Sequence, residues 1–155
     1  MSNEGFLYMT TKSGKVNTHG ADSLSMSSED YLESIYRLSQ TSDKPDSSVH
    51  SVDVADQLNV SKASVNKALT ALREAGMVEQ VRYGRIELTP QGREYGRDIW
   101  RRHLTLRAFL EQELGVDHET ANAEACLMEH DLSADTMNRW VSYLEEQGVS
   151  LNIEL

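Results

Sequence analysis

The chain has few of the residues that mark membrane-spanning or disulfide-bonded proteins. Its 155 residues contain a single cysteine, which excludes an intrachain disulfide and fits a reducing compartment. No apolar stretch approaches the roughly 18 residues that a membrane helix needs. The N-terminal residues also lack the basic-then-apolar order of a secretory signal peptide. From these absences we expect a globular protein of the cytoplasm without a membrane partner.

Basic residues are also scarce, and they are unevenly distributed. The formal net charge of −10 by itself argues against binding to nucleic acid. Between Ser61 and Arg97, however, basic side chains outnumber acidic ones; they are Lys62, Lys67, Arg73, Arg82, Arg85, Arg93 and Arg97. From Asp117 onward the only lysine or arginine is Arg139. We interpret this pattern as a basic DNA-binding part followed by an acidic regulatory part.

The periodicity of the first half is typical of a winged helix-turn-helix. Residues 1–25 are rich in Ser, Thr, Gly and Asn without a period, which predicts a flexible arm. A first helix is predicted from about Ser27, and two short helices, capped by Ser51 and Ser61, flank a tight turn at Asn59. Residues 77–88 alternate around Tyr83 and predict a β-hairpin. A hairpin directly after a recognition helix is a wing.

The second half predicts helices alone. Pro90 opens a long helix to about Leu114, with apolar residues and His103 on one stripe. Two more helices are predicted, at about residues 118–129 and 133–146. We therefore predict a mainly α protein, with an N-terminal winged helix-turn-helix, a small β-hairpin wing and an all-α remainder.

The third helix and the wing carry the candidate DNA-binding residues. The N-terminal part of a recognition helix enters the major groove. Asn66 suits a bidentate contact with adenine, and lysines suit guanine or phosphate. Arginines at a wing suit phosphate or the minor groove. The predicted set is Ser61, Lys62, Ser64, Asn66, Lys67, Arg82 and Arg85. Winged helices also serve as protein-interaction modules, but the basic wing and polar helix face favour DNA.

A second set of residues suggests metal binding. Cys126, Glu129 and His130 stand at i, i+3 and i+4, so a thiol, a carboxylate and an imidazole share one face of a predicted helix. These donors suit a divalent transition metal. Asp30 and Glu33 form another i, i+3 pair, and His103 stands alone. Each has an ordinary explanation as well: a buried thiol, a core histidine, or an acid at a helix start.

From about Ser27 to Glu146 the chain resembles the diphtheria toxin repressor family of metal-dependent repressors, most of all its shorter manganese transport regulator branch. The matching segments are EDYLESIYRL, VADQLNVSKASVNKALTALREAGMV, TPQGRE, RRHLTLRAFL and ACLMEHDLS. The resemblance implies a homodimer with a metal site between the DNA-binding unit and the dimerisation helices. It implies Asp30, Glu33, His103, Cys126, Glu129 and His130 as ligands. We thus divide the chain into an arm (1–25), a winged helix-turn-helix domain (26–95) and a helical metal-binding and dimerisation domain (96–150).

The donor set departs from both branches of that family. The manganese branch has glutamate at the Cys126 position, whereas the iron-responsive branch has cysteine there and methionine at the Asp30 position. Arg107 and Asn122 replace a carboxylate and a histidine of the iron branch's ancillary site, so we expect no such site. Because the sequence ends at Leu155, we also expect no counterpart of that branch's SH3-like domain.

We therefore predict a cytoplasmic, homodimeric, metal-activated repressor that controls metal homeostasis from a palindromic DNA operator. The expected cofactor is Fe(II) or Mn(II), and Zn(II) or Co(II) can substitute in vitro. One alternative is a winged-helix regulator that senses a small organic ligand and keeps a vestigial metal site. Another is a metal-dependent hydrolase, which needs an open coordination position and a general base. The sequence supplies no such base beyond the ligands, so we expect no enzyme.

Overall fold

The structure, a computed structural model, describes residues 26–43, 45, 47–81, 83–149 and 151; the predicted arm and Arg82 lie outside them. The elements are α1 (Met26–Gln40), β1 (Val49–His50), α2 (Ser51–Leu58), α3 (Lys62–Glu74), β2 (Val78–Val81), β3 (Arg85–Leu88), α4 (Pro90–Gln112), α5 (His118–Met128) and α6 (Ala134–Glu146). The mainly α fold with a winged helix-turn-helix is as predicted. Among these helices, none is both long and apolar enough to cross a membrane.

The turn between α2 and α3 follows from its residues. Asn59 takes a left-handed conformation with φ of 52°, which asparagine tolerates better than most residues. Ser61 then caps α3, its Oγ accepting a bond from the Ser64 N–H at 3.1 Å. The predicted cap at Ser51 is wrong, because His50 occupies that position without a side-chain bond. The chain enters α2 straight from β1, and the Ser51 N–H bonds instead to the carbonyl of Gly84 in the wing.

The wing belongs to a three-stranded antiparallel sheet in the order β1-β3-β2. The predicted hairpin is β2 and β3, in which Val78 pairs with Leu88. The additional strand, β1, is only two residues long and carries no periodicity that a sequence pattern would reveal. It pairs Val49 with Ile86, and so fixes the wing to the start of α2.

Two apolar cores share α4. The N-terminal core joins α1, α2, α3, the sheet and the first half of α4; it includes Leu32, Val65, Leu72, Ile86, Tyr95 and Ile99. The C-terminal core joins the second half of α4 to α5 and α6 around Leu106, Ala125 and Met137. The predicted boundary between the two domains, between residues 95 and 96, falls inside α4. Because α4 is unbroken there, both cores are built on one continuous helix. The domain boundary at that point stays a prediction.

Two glycines allow α4 to lie directly on its neighbours. A Cβ added to Gly92 would lie 1.8 Å from the carbonyl oxygen of Met77, and one added to Gly96 would lie 2.8 Å from the Cβ of Tyr36. The first obstacle is backbone, so no side-chain rotation relieves it. Gly92 therefore sets how closely the start of α4 packs on the end of α3 and the wing.

We predict that Gly92→Ala destabilises the protein by roughly 1–3 kcal/mol, the usual range for overpacking. The readout is the urea midpoint of metal-free protein, compared at one protein concentration because an oligomer's stability depends on it. Glu94→Ala, an exposed position on the same helix, is the control. Equal midpoints for the two variants would show that the close approach is not a constraint.

Candidate metal centre and DNA-binding surface

Three helices bring all six predicted metal ligands together in two groups. The first donor group is Asp30, Cys126, Glu129 and His130, and the second donor group is Glu33, His103 and Glu129. Within each group the candidate ligand atoms all lie within 4.8 Å of one another. Glu129 belongs to both groups, so they form one continuous cluster.

The end of α5 is held in a defined place. The helix ends at Met128, but Glu129 keeps helical angles as its C-cap, with φ −60° and ψ −26°. Cys126, Glu129 and His130 thus remain on one side, as the spacing predicted. Arg102 of α4 donates to the carbonyl oxygens of Glu129 at 3.3 Å and Leu132 at 3.2 Å. These bonds hold the end of α5, which carries three of the donors, against α4.

The carboxylate of Glu129 is the most deeply buried of the ligands, with 1% of the residue exposed. Its Oε2 lies 2.8 Å from His103 Nδ1 and its Oε1 lies 3.4 Å from His130 Nε2. Oε1 has no hydrogen-bond partner among the described residues. A buried polar atom without a partner is unfavourable by about 1–3 kcal/mol, and more when it is charged. An unpaired carboxylate oxygen amid imidazole, thiol and carboxyl donors fits a bound divalent transition metal.

Burial changes the protonation of these acids. Burial, and after it the negative charge of Glu129, raises the pKa of Glu33 to about 8. Burial also raises the pKa of Glu129 to about 7, although contacts with Glu33 and His130 act against it. The pKa of His103 is lowered, again mainly by burial. Near neutral pH and without a cation, Glu33 is therefore mainly protonated, Glu129 is partly protonated and the His103 imidazole is neutral.

His130 has the opposite tendency. Its Nδ1 lies 2.6 Å from Glu29 Oε2, and its Nε2 lies 2.8 Å from Asp30 Oδ1. Although burial acts to lower it, hydrogen bonds to Asp30, Cys126 and Glu29 raise the pKa of His130 to about 12. In the metal-free protein His130 is therefore an imidazolium that lies between the carboxylates of Glu29 and Asp30.

Four residues around the donors were not predicted from the sequence. Glu29 also accepts a bond from the Tyr95 hydroxyl at 2.7 Å. Asn122 Oδ1 lies 2.9 Å from His103 Nε2. The Trp100 ring stacks on His103 with centroids 5.1 Å apart, and the Arg37 guanidinium lies 4.1 Å from that indole's centroid. Trp100 and Arg37 are thus the other two of the four residues. Glu29 resembled an ordinary first-turn acid, and although each of the four lies three or four residues from a ligand on its own helix, that spacing does not predict the contacts made across helices.

A cavity of about 400 Å³ opens beside the donors. Its lining includes ligand residues from both donor groups, together with Gln57 and Leu58 of α2 and Val60 of the turn that follows. The cavity therefore lies between the metal-ligand cluster and the helix-turn-helix, with residues of both in its lining.

The predicted DNA-binding residues of α3 share one exposed surface. Those residues are Ser61, Lys62, Ser64, Asn66 and Lys67, and all five are exposed. Arg85 is half-buried in β3, with its Nη2 3.8 Å from Glu87 Oε1, so it lies beside the wing's tip and not on it. Tyr83, which is not among the residues predicted to contact DNA, occupies the tip with 91% of its surface exposed.

The chain matches two family models in succession. Residues 23–86 match the one described as "Iron dependent repressor, N-terminal DNA binding domain". Residues 89–148 match "Iron dependent repressor, metal binding and dimerisation domain". The two matches meet near the start of α4 and together span most of the chain.

Individual relatives agree with these matches. An HTH-type transcriptional regulator of Methanocaldococcus jannaschii, itself called uncharacterized, is 34% identical over 79% of this chain and 96% of its own length. The HTH-type transcriptional regulator MntR of Listeria welshimeri is 34% identical over 73% of this chain and 76% of its own.

Solved structures show the same fold. A manganese-dependent transcriptional repressor in complex with manganese has 30% identity and a TM-score of 0.66, over 76% of this chain and 52% of that chain. The crystal structure of T. acidophilum IdeR has 27% identity and a TM-score of 0.63, over 78% and 54%. The chain thus spans about half the length of these structures. With both family models matched in order, the chain belongs to the iron-dependent repressor family of metal-dependent transcriptional repressors.

Proposed function

We propose that this protein is a metal-activated repressor that binds a palindromic operator as a homodimer, with Fe(II) or Mn(II) as the activating ion. The observation that carries the proposal is the shared, buried carboxylate of Glu129, which joins ligands from α1 to ligands from α4 and α5. The relatives named above are transcriptional regulators, which supports DNA binding without an enzymatic activity.

The mechanism follows from where the ligands are attached. A bound divalent cation supplies the positive charge that lets four acidic groups lie side by side: Asp30, Glu33, Cys126 and Glu129. Asp30 and Glu33 then hold α1 against the end of α5. Since α1 shares the N-terminal core with α3, the orientation of the recognition helix becomes fixed to the helices that form the dimer.

Two consequences follow for DNA. In a dimer the two α3 helices then reach successive major grooves, which requires half-sites about one helical turn apart or a multiple of it. By linkage, operator DNA raises metal affinity by the same factor by which metal raises DNA affinity, typically roughly 5–150-fold. Tight binding of the operator and tight binding of the metal ion thus each depend on the other.

The donor chemistry leaves two candidate ions. The Cys126 thiolate is a soft donor that favours Fe(II) over Mn(II), whereas the carboxylates of Asp30, Glu33 and Glu129 are hard donors that favour Mn(II). Two donor groups that share Glu129 accommodate up to two ions per protomer. Zn(II) and Co(II) match the same donors and are expected to bind in vitro.

We predict that wild-type protein binds its operator roughly 5–150-fold more tightly with Mn(II) or Fe(II) than with excess chelator. Glu129→Gln, which keeps the size but removes the shared charge, is expected to lose this difference. The measurement is fluorescence anisotropy at buffered free metal, anaerobic for iron, on a duplex selected from a random library. Glu124→Gln, an exposed acid on α5, is the matched control. Chelator-insensitive binding by the wild type would instead favour the small-ligand sensor.

We predict that metal affinity rises with pH between about 6 and 8.5. The pKa values of Glu33, about 8, and Glu129, about 7, are above the ordinary carboxyl range, and that of His130 is about 12, so all three hold protons near neutral pH that ligation must displace. Acid therefore competes with metal. Calorimetry in buffers of different ionisation enthalpy counts the protons released, and we expect more than one per ion at pH 7. A flat pH profile without proton release would contradict the assignment of these ligands.

We predict different defects for two residues of α3. Lys62→Ala is expected to weaken binding to every duplex and to lower the salt dependence, because phosphate contacts carry affinity. Asn66→Ala is expected to relax preference at one base position by roughly 1–3 kcal/mol. Competition between the operator and its single-base variants, at two salt concentrations, separates the effects. A uniform loss in Asn66→Ala with a reduced salt slope would reverse the two roles.

A further inference from the structure

The two ligand histidines share one arrangement that neither donor group explains. Each ring has one nitrogen facing the donors and the other nitrogen bonded to a residue outside both groups. For His130 that residue is Glu29, 2.6 Å from Nδ1. For His103 it is Asn122, 2.9 Å from Nε2.

Glu29 is placed to orient His130 and not to ligate. One carboxylate oxygen faces His130 Nδ1, and the other accepts the hydroxyl of Tyr95 at 2.7 Å, so both oxygens are engaged. Glu29 belongs to neither donor group and is 6% exposed. A carboxylate only accepts hydrogen bonds, so His130 must donate from Nδ1. The Nε2 atom is then the nitrogen left on the donor side, 3.4 Å from Glu129 Oε1.

Asn122 orients His103 in the opposite sense. Its side-chain oxygen accepts from Nε2, which leaves Nδ1 free to face Glu129 Oε2 at 2.8 Å. The face of the ring is fixed as well, because Trp100 stacks on it at 11° between planes. The two histidines thus present different nitrogens, Nε2 from His130 and Nδ1 from His103, and one partner residue determines each choice.

We propose that Glu29 and Asn122 are positioning residues that select the ring nitrogen which each histidine presents to a divalent cation, with Tyr95 holding Glu29 in place. The inference rests on the proposed metal site and adds the residues that prepare it. Partners of this kind typically change metal affinity by about 10–100-fold. Because Tyr95 belongs to the N-terminal core, the Glu29 contact also ties the geometry of His130 to the DNA-binding part.

The variants are chosen by what each side chain can accept. Glu29→Gln has only one acceptor oxygen for two donors, and Tyr95→Phe removes the hydroxyl while keeping the ring. Asn122→Leu removes the acceptor, whereas Asn122→Asp retains acceptor oxygens alone and is the conservative control. We expect Mn(II) affinity, measured by competition with a chelator of known affinity, to fall about 10–100-fold in Glu29→Gln and Asn122→Leu. We expect a smaller fall in Tyr95→Phe and near wild-type affinity in Asn122→Asp.

A second readout does not depend on activity. Nitrogen-15 imidazole spectra identify which ring nitrogen carries the proton. In the metal-free wild type we expect the Nε2–H form of His103, retained in Asn122→Asp and replaced by a mixture in Asn122→Leu. In Zn(II)-loaded wild type we expect His130 coordinated through Nε2 with Nδ1 protonated. Unfolding midpoints of the metal-free variants check that the fold is intact.

The outcomes separate this inference from the function proposed above. If wild-type protein binds metal and all four variants bind Mn(II) equally well, the positioning roles are wrong although the repressor proposal stands. Coordination of His130 through Nδ1, or the Nδ1–H form of His103 in the metal-free wild type, would also overturn them. If the wild type binds no metal, the repressor proposal fails, while the metal-free spectra still decide the role of Asn122.

Discussion

The burial of one carboxylate, Glu129, is the constraint on which the site depends. A buried acid needs either a proton or a positive partner, because its charge is unfavourable away from water. The protein supplies only part of that compensation: His103, which faces one oxygen, is neutral because burial lowers its pKa, and the His130 imidazolium lies 3.4 Å from the other. In the proposed site a bound cation would supply the remainder. In the metal-free protein the raised pKa values of Glu33 and Glu129 favour their protonated forms, so in the proposed site metal binding would release protons.

Much of this arrangement follows from the sequence. The order of the helices, the hairpin and the third helix's cap could all be predicted, because each depends on local spacing and local capping. The three donors near the end of α5 were also predictable, since helical spacing alone puts them on one side. The convergence of α1, α4 and α5 on a single cluster could not be predicted from spacing. It was inferred from a resemblance, and the structure is consistent with it.

The features that could not be predicted from the sequence depend on contacts between residues far apart in the chain. Glu29 and His130 are 101 residues apart, and an acid in a first turn is already explained by the helix dipole. The cap at Ser51 was wrong for a similar reason, because Ser51 is already the first residue of α2, with its N–H bonded to the Gly84 carbonyl of the wing, and His50 takes the cap position. Local rules thus describe what a residue does when no distant partner competes for it.

Two residues that depart from the iron-responsive branch, Asn122 and Arg107, make other contacts in this structure. Asn122 and Arg107 stand where the iron-responsive branch is expected to have ancillary ligands. In this chain Asn122 bonds to His103, and the Arg107 guanidinium lies 3.9 Å from Glu111 on its own helix. His103, whose counterpart in the iron-responsive branch is expected to serve the ancillary site, here lies in the same cluster as Glu129. In the proposed site, ligation, ring orientation and the attachment of α1 would all meet at the end of α5, and α1 shares the N-terminal core with the recognition helix.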